Sequence, residues 1–156
     1  MDWNWTMITT GFAGIYHITA QDVLNTGATL DSVNIRTIQA ADAWITLMCR
    51  KVVLLHDGLT TGQHESPTHA MGLAVDVAFD DSEGMLDVSH AVMMAVSVGF
   101  RGVGVYWNGT AYSMHMDLGM TFRQWAWWKH DAADAWTKDG LIVDPRELEC
   151  LRTIGG

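Results

Sequence analysis

Two polar residues, His69 and Asp76, stand out in an apolar part of the chain. His69 closes a polar loop, and Asp76 lies within the apolar run Leu73–Phe79. Successive side chains of a strand point to opposite faces, so Asp76 shares a face with Ala74 and Ala78. Burial of a carboxylate on such a face costs several kcal/mol unless it is paired or bound to a metal. No basic residue lies nearby in the sequence, and Lys and Arg number nine in all, so a metal is favoured over an ion pair.

A second polar pattern occupies the segment from residue 112 to residue 118. Alternation places two sets of side chains on opposite faces of a strand there. The polar set is Ser113, His115 and Asp117, and the apolar set is Met114, Met116 and Leu118. The pattern fits a strand that carries a site, and it fits an ordinary half-solvated hairpin strand equally well.

Together, His69, Asp76 and His115 supply two imidazoles and one carboxylate. Three protein ligands with one open position are typical of catalytic zinc. Nitrogen and oxygen ligands suit zinc without excluding other divalent ions. The chain has no C-x-x-C pair, and Cys49 and Cys150 are too few for a disulfide framework. One disulfide between them is possible, but we predict that both cysteines are reduced and buried.

Hydrophobic periodicity, capping and turn signals predict the elements that must position these residues. The predicted elements are a helix that begins with a capping box at Thr19–Asp22 and stops near Gly27, a helix over Val33–Arg50, a buried strand over Lys51–Leu55, a loop over His56–Met71, a strand over Leu73–Phe79, a turn over Asp80–Gly84, a helix over Met85–Val98, a hairpin of Val103–Trp107 and Ala111–Leu118 around Asn108-Gly109, a helix over Thr121–Trp136, and a short helix from Pro145. This order predicts a single α+β domain, residues 1–156, with a small, mainly antiparallel sheet flanked by helices.

The predicted helix over Thr121–Trp136 is rich in aromatic residues. Trp125 and Trp128 would share one face of it. Core packing is favoured over a sugar-binding platform for this pair, and Trp107 is the better candidate for the rim of a cleft.

Composition and charge exclude several classes of protein. The chain has 156 residues, of which 49% are hydrophobic and 17% charged, and its formal net charge is −9. Such a chain is too apolar to be disordered, and its charge argues against nucleic-acid binding through phosphate neutralisation. Neither a secretory signal nor an apolar run of about 18 residues is found. We therefore expect synthesis in the cytoplasm and no membrane insertion.

Local motifs then resemble a known enzyme family. Ser66-Pro-Thr-His69-Ala-Met-Gly72-Leu-Ala74-Val-Asp76 fits S-x-x-H-x-x-G-x-A-x-D, and Gly102-Val-Gly104-Val-Tyr106, His115-Met-Asp117 and Arg123-Gln-Trp125 follow. Over roughly residues 15–128 the chain resembles the zinc D-alanyl-D-alanine carboxypeptidase and L-alanyl-D-glutamate endopeptidase family. The relatives of that family include vancomycin-resistance D,D-dipeptidases, phage endolysins and the hedgehog signalling domain fold.

The resemblance implies a fold, a site and an activity. The fold would be hedgehog/D,D-peptidase-like, and His69, Asp76 and His115 would bind Zn²⁺. The residues that would bind substrate are His64, Ser66 and Tyr106. The expected activity is hydrolysis of peptide bonds in peptidoglycan stem peptides, by a D,D-carboxypeptidase or an endopeptidase. A phage or prophage lysis enzyme of this kind would reach the cell wall through a lysis pore.

The chain departs from the family pattern at the position of the general base. Many members place Glu three residues before the last His ligand, where this chain has Tyr112, and others place His two residues before it, where this chain has Ser113. Asp117 shares the face of His115, so it is the first candidate for a catalytic base or for a group that orients the ligand. Glu65 and His64 are the alternatives.

A second departure concerns an arginine that holds the substrate in the family. The corresponding stretch Leu55–Leu59 has no Arg, and His56 and His64 are the candidates to replace it. The missing Glu and Arg motivate a different class of function. The alternative is a non-catalytic, metal-stabilised binding domain, or a virion or assembly domain on the same scaffold. The acidic balance of the chain also counts against tight binding to an anionic cell wall.

Overall fold

The described elements are four helices and the six strands of one sheet. The computed structural model describes residues 14–61, 67–79, 86–107, 110–130 and 133–136. In chain order the elements are α1 (Ala20–Asn25), α2 (Ile35–Met48), β1 (Val52–Leu54), α3 (Pro67–Ala70), β2 (Ala74–Phe79), α4 (Val88–Ser97), β3 (Gly102–Trp107), β4 (Tyr112–Asp117), β5 (Arg123–His130) and β6 (Ala133–Trp136).

The strands form one sheet in the order β1-β2-β4-β3-β5-β6. The pairing of β3 with β5 is parallel, and the other pairings among the described strands are antiparallel. The predicted α+β class with a mainly antiparallel sheet is confirmed.

The core lies between the two long helices and one face of the sheet. Trp44 of α2 is fully buried, donates from Nε1 to the carbonyl of Ala91 in α4 at 3.0 Å, and meets the ring of Phe79 edge-on at 5.6 Å. The central strands contribute side chains at alternate positions to this core, namely Val75, Val77, Val103, Val105, Met114 and Met116. Burial of this apolar surface is the main driving force for the fold.

Local signals at the helix ends explain where the helices begin and stop. The side chains of Thr19 and Asp22 form the predicted capping box at α1, and Asn34 and Asp87 cap α2 and α4. Gly99 follows α4 with a φ of +110°, a conformation that favours glycine. These three predicted helices are confirmed, with ends that differ by a few residues.

The segment before α1 is tied to α2 by one carboxylate. Asp42 is buried and accepts hydrogen bonds from the backbone N–H groups of Tyr16, His17 and Ile18. These backbone donors satisfy the hydrogen-bonding capacity of the buried carboxylate.

The predicted helix over Thr121–Trp136 is wrong, because these residues form β5 and β6. Strands are enriched in aromatic residues, whose packing on a pleated sheet outweighs a weak helical pattern. Trp125 and Trp127 recur with the period of a strand, and β3 offers an edge to which β5 adds. The shared helical face of Trp125 and Trp128 therefore does not exist.

Smaller corrections concern the residues around β1. The strand β1 is an edge strand with Val53 52% exposed, not a buried strand. The loop predicted over His56–Met71 contains one helical turn, α3. Cys49 is exposed at the end of α2 rather than buried.

Three predictions fall on residues that the structure does not describe. The turn over Asp80–Gly84, the Asn108-Gly109 turn and the helix from Pro145 lie outside the described residues, as does Cys150. None of the described helices has the length and apolar character needed to cross a bilayer.

Candidate metal centre

The three predicted ligands come together on the sheet face opposite the core. Asp76 in β2 and His115 in β4 are directly paired across the two strands, and His69 comes from α3, the helical turn before β2. Asp76 Oδ1 lies 2.8 Å from His115 Nδ1 and 3.3 Å from His69 Nε2. The two imidazole nitrogens are 3.0 Å apart.

The spacing of these three atoms suits a single ion. Ligand atoms at about 2.0–2.1 Å from a tetrahedral zinc ion lie about 3.3 Å from one another. The three separations in this protein are 2.8, 3.0 and 3.3 Å. A group of two His and one Asp with this convergence can hold a metal ion.

The His69 ring is oriented by the backbone. Its Nδ1 is 2.5 Å from the carbonyl oxygen of Leu59, so Nδ1–H donates and the lone pair of Nε2 faces Asp76 and His115. The carbonyl of Gly58, just before Leu59, accepts from the Asp76 N–H at 2.7 Å. A β-carbon at Gly58 would come within 2.8 Å of the Asp76 carbonyl. The glycine therefore lets this loop lie against the ligand strand.

The His115 ring is oriented by a carboxylate. Its Nε2 lies 3.0 Å from Asp117 Oδ2, while Nδ1 points to Asp76. The other oxygen of Asp117 accepts from the N–H of Gly119 at 2.7 Å. Asp117 is 7% exposed and contacts His115 through the nitrogen that does not face the other ligands. Metal-binding histidines commonly donate their second N–H to such a carboxylate.

Electrostatics hold these groups in their charged forms without a metal. Burial disfavours the charge of Asp76, but hydrogen bonds with His115 and His69 outweigh burial and lower the pKa of Asp76 to about 2. Burial likewise opposes a charge on His115, but hydrogen bonds to Asp117 and Asp76 raise the pKa of His115 to about 9. The pKa of Asp117 is lowered by its hydrogen bonds to His115 and Gly119, which outweigh burial. In the metal-free protein a protonated His115 thus lies between two carboxylates.

Two glycines in β3 leave room beside His115. Gly102 and Gly104 lie on the same sheet face as the ligands, opposite Asp117 and His115 respectively. A β-carbon at Gly102 would overlap the carboxylate of Asp117, and one at Gly104 would overlap the indole of Trp125. The bare backbone of β3 therefore lets side chains from β4 and β5 cross it.

Trp125 lies beside the candidate ligand His115. The sequence pattern did not predict this contact. The two ring centroids are 5.4 Å apart with an angle of 42° between the planes. Its Nε1 donates to the hydroxyl of Tyr106 at 2.8 Å, and the Arg123 guanidinium lies over the indole, 5.5 Å from its centroid. Recurrence of tryptophan at positions 125 and 127, with period two, is the signal that could have placed Trp125 on a strand.

The first motif has a physical explanation in the structure. Gly72 ends the α3 turn, with its N–H donating to the His69 carbonyl at 2.9 Å, and its φ of +70° favours glycine. A β-carbon there would lie 2.6 Å from the carbonyl oxygen of Ser32. Ala74 is fully buried opposite Asp117, where a small residue fits. His69 lies in the helical turn α3, the chain reverses at Gly72, and Asp76 lies in β2. These three features explain the spacing from His69 to Asp76.

The remaining predicted residues divide into four groups. Tyr106 lies on the face of the ligands, two residues from Gly104. His56 is exposed and pairs with Asp57 at 3.2 Å. Tyr112 is buried in the core on the opposite face. Lying outside the described residues are His64, Glu65 and Ser66.

Comparisons with known proteins add no relative. No family model, no curated protein and no solved structure matches this chain.

Proposed function

We propose that this chain is a zinc-dependent peptidase that hydrolyses peptide bonds in peptidoglycan stem peptides. The observation that carries the proposal is the convergence of His69 Nε2, Asp76 Oδ1 and His115 Nδ1, with separations of 2.8–3.3 Å. Both imidazoles are also held through their second nitrogen, as expected of metal ligands. The S-x-x-H-x-x-G-x-A-x-D motif supports the peptidase family, and with it a hedgehog/D,D-peptidase-like fold.

The charge and chemistry of the site favour zinc. Asp76 and Asp117 carry two negative charges, which a divalent ion balances when both histidines are neutral. The nitrogen and carboxylate ligands suit zinc among divalent ions. A zinc ion held here would supply Lewis-acid polarisation of a peptide carbonyl and activation of water.

In this proposal Asp117 orients His115 rather than serving as the base. One Asp117 oxygen accepts from His115 and the other accepts from Gly119, so the carboxylate is fixed on the far side of the imidazole. The general base then falls to Glu65 or His64, which lie outside the described residues. Ser66 and Tyr106 bind substrate in the same scheme.

The second candidate is a binding domain that keeps the metal for stability and does not hydrolyse peptides. The observation that favours it is the burial of Tyr112 in the core, at the position where many family members carry the catalytic Glu. The Arg of the family is also missing from Leu55–Leu59, and His56 pairs with Asp57 at the surface.

Hydrolysis of purified peptidoglycan tests the proposal. The zinc-loaded chain should release new amino termini, with free D-alanine for a carboxypeptidase or separated cross-linked peptides for an endopeptidase. The His69→Ala variant is the matched inactive control. Stoichiometric zinc without any hydrolysis would favour the binding domain, and a chain that binds no divalent metal would refute both candidates. A phage or prophage enzyme of this kind would reach the wall through a lysis pore.

A further inference from the structure

Trp125 is the aromatic neighbour of a ligand and is itself held in place at several points. Its indole crosses the bare backbone of Gly104 and packs against the His115 ring. The Tyr106 hydroxyl fixes the indole N–H, and the Arg123 guanidinium covers the ring. Such an arrangement restrains the indole in both position and tilt.

The His115 ring needs a restraint of this kind. Its hydrogen bonds to Asp117 and Asp76 fix the positions of the two ring nitrogens, but they leave the ring free to rotate about the line that joins these atoms. The ring plane is set by the groups packed against it, and these are Trp125 at 5.4 Å and His69 at 4.8 Å between centroids. A tilt of the ring would move the Nδ1 lone pair away from the point where the three ligand atoms converge.

We propose that Trp125 is a positioning residue that holds the His115 ring in the orientation needed for metal coordination, and that Tyr106 acts with it as one hydrogen-bonded unit. The inference rests on the proposed metal-binding function. It adds a second role for Tyr106, exerted through Trp125, to the substrate contact proposed above.

Zinc affinity of matched variants tests this role. Trp125→Leu should weaken zinc binding by about 10- to 100-fold, the usual effect of removing a group that orients a ligand. Trp125→Phe keeps a ring beside His115 and should restore part of the affinity. Tyr106→Phe should match Trp125→Phe, and the double variant should lose no more than either, because both remove the same hydrogen bond.

Trp107→Leu is the matched control. Trp107 lies next to Tyr106 in the same strand, but its ring packs on Tyr112 at 4.6 Å, on the core face of the sheet. This variant should lose stability and keep the zinc affinity of the wild-type chain. Equal zinc affinity of Trp125→Leu and wild type, or an equal loss in Trp107→Leu, would overturn the proposal.

A second measurement separates failure of this inference from failure of the proposed function. The His115 Nε2–H, donated to Asp117, should exchange slowly with solvent and give a ring N–H signal in ¹H–¹⁵N spectra, with or without zinc. Faster exchange in Trp125→Phe and Trp125→Leu, but not in Trp107→Leu, supports the positioning role even if the wild-type chain binds no zinc. Unchanged exchange in both Trp125 variants overturns it.

Discussion

The two faces of the central strands are built on different principles. In β4, Met114 and Met116 point into the core, while His115 and Asp117, at the alternate positions, point to the candidate metal centre. Both sets are buried. The core face is stabilised by volume and apolar area, whereas the opposite face is ordered by hydrogen bonds of fixed direction. One strand thus carries two sets of side chains whose substitutions should have separable effects.

Removal of a ligand should have the largest effect on metal binding. His69→Ala and His115→Ala should each weaken zinc binding on the order of 1,000-fold, since each removes one of three protein ligands. Metal content after dialysis against a chelator measures this, and circular dichroism checks that the fold remains.

The control for the ligand variants is His90→Ala, on α4 outside the centre. It should keep the zinc affinity of the wild-type chain. Stoichiometric zinc in both ligand variants would contradict the assignment of His69 and His115 as ligands.

Truncation on the other face of β4 should affect stability and spare the metal. Met114→Ala and Met116→Ala should each lower the free energy of unfolding by about 2–5 kcal/mol, because each leaves a cavity in the core. Denaturant unfolding of the metal-free chain measures the loss, and zinc titration of the folded variants should give wild-type affinity.

Met93→Ala is the matched control, because Met93 is 58% exposed. Its free energy of unfolding should stay within about 0.5 kcal/mol of the wild-type value. A large loss of zinc affinity in the core variants would show that the two faces are coupled.

Asp117→Asn should have a smaller effect and sharpens the role of this carboxylate. The change removes the charge that holds His115 Nε2–H, so zinc affinity should fall by about 10- to 100-fold. Competition with a chromophoric chelator measures it, with exposed Asp31→Asn as the control. Loss of turnover with unchanged zinc affinity would instead return Asp117 to the role of general base.

The last comparison concerns the pH dependence of the metal-free chain. The pKa of His115 rises from 6.5 to about 9 on folding, so its contribution to stability is full below pH 6.5 and is lost as the pH rises towards 9. The pKa of Asp76 falls from 3.8 to about 2, so its contribution is lost as the pH falls through that range. Thermal unfolding with a chelator present should therefore give the highest midpoint between these two windows.

Zinc should reverse the trend on the alkaline side. The metal competes with the proton on His115 Nδ1, so zinc affinity should rise with pH from 6 to 9. His90→Gln should leave both curves unchanged. A metal-free chain whose stability rises between pH 6.5 and 9 would contradict the charged state assigned to His115.

The core face and the positions of the candidate ligands followed from the sequence pattern. Alternation in 73–79 and 112–118 separated apolar from polar side chains correctly, because the period of a strand assigns faces directly. The convergence of His69, Asp76 and His115 depended on long-range pairing of β2 with β4. We grouped these residues by their ligand chemistry, because the local pattern does not indicate that β2 pairs with β4.

The position of Trp125 beside the candidate metal centre could not be predicted in the same way. A helix was expected where β5 lies, because the aromatic residues of 121–136 also fit a helical spacing and nothing local reveals the parallel pairing of β5 with β3. The contacts of Trp125 and the space left by Gly104 arise only from that tertiary pairing. The roles of His69 Nδ1 and Asp117 are likewise set by bonds that no periodicity encodes.

The bare face of β3 has a consequence for the order in which the centre is assembled. Strands β4 and β5 are separated by β3, and two strand spacings amount to about 9–10 Å. His115 and Trp125 nevertheless touch, because Gly102 and Gly104 place no side chain between them. The three candidate ligands all precede β5 in the chain. His115 nevertheless gains its aromatic neighbour Trp125 only when β5 pairs with β3. Metal binding and the pairing of β5 with β3 should therefore be coupled steps in the folding of this chain. The pairing of β5 with β3 comes last, because it is parallel and non-local.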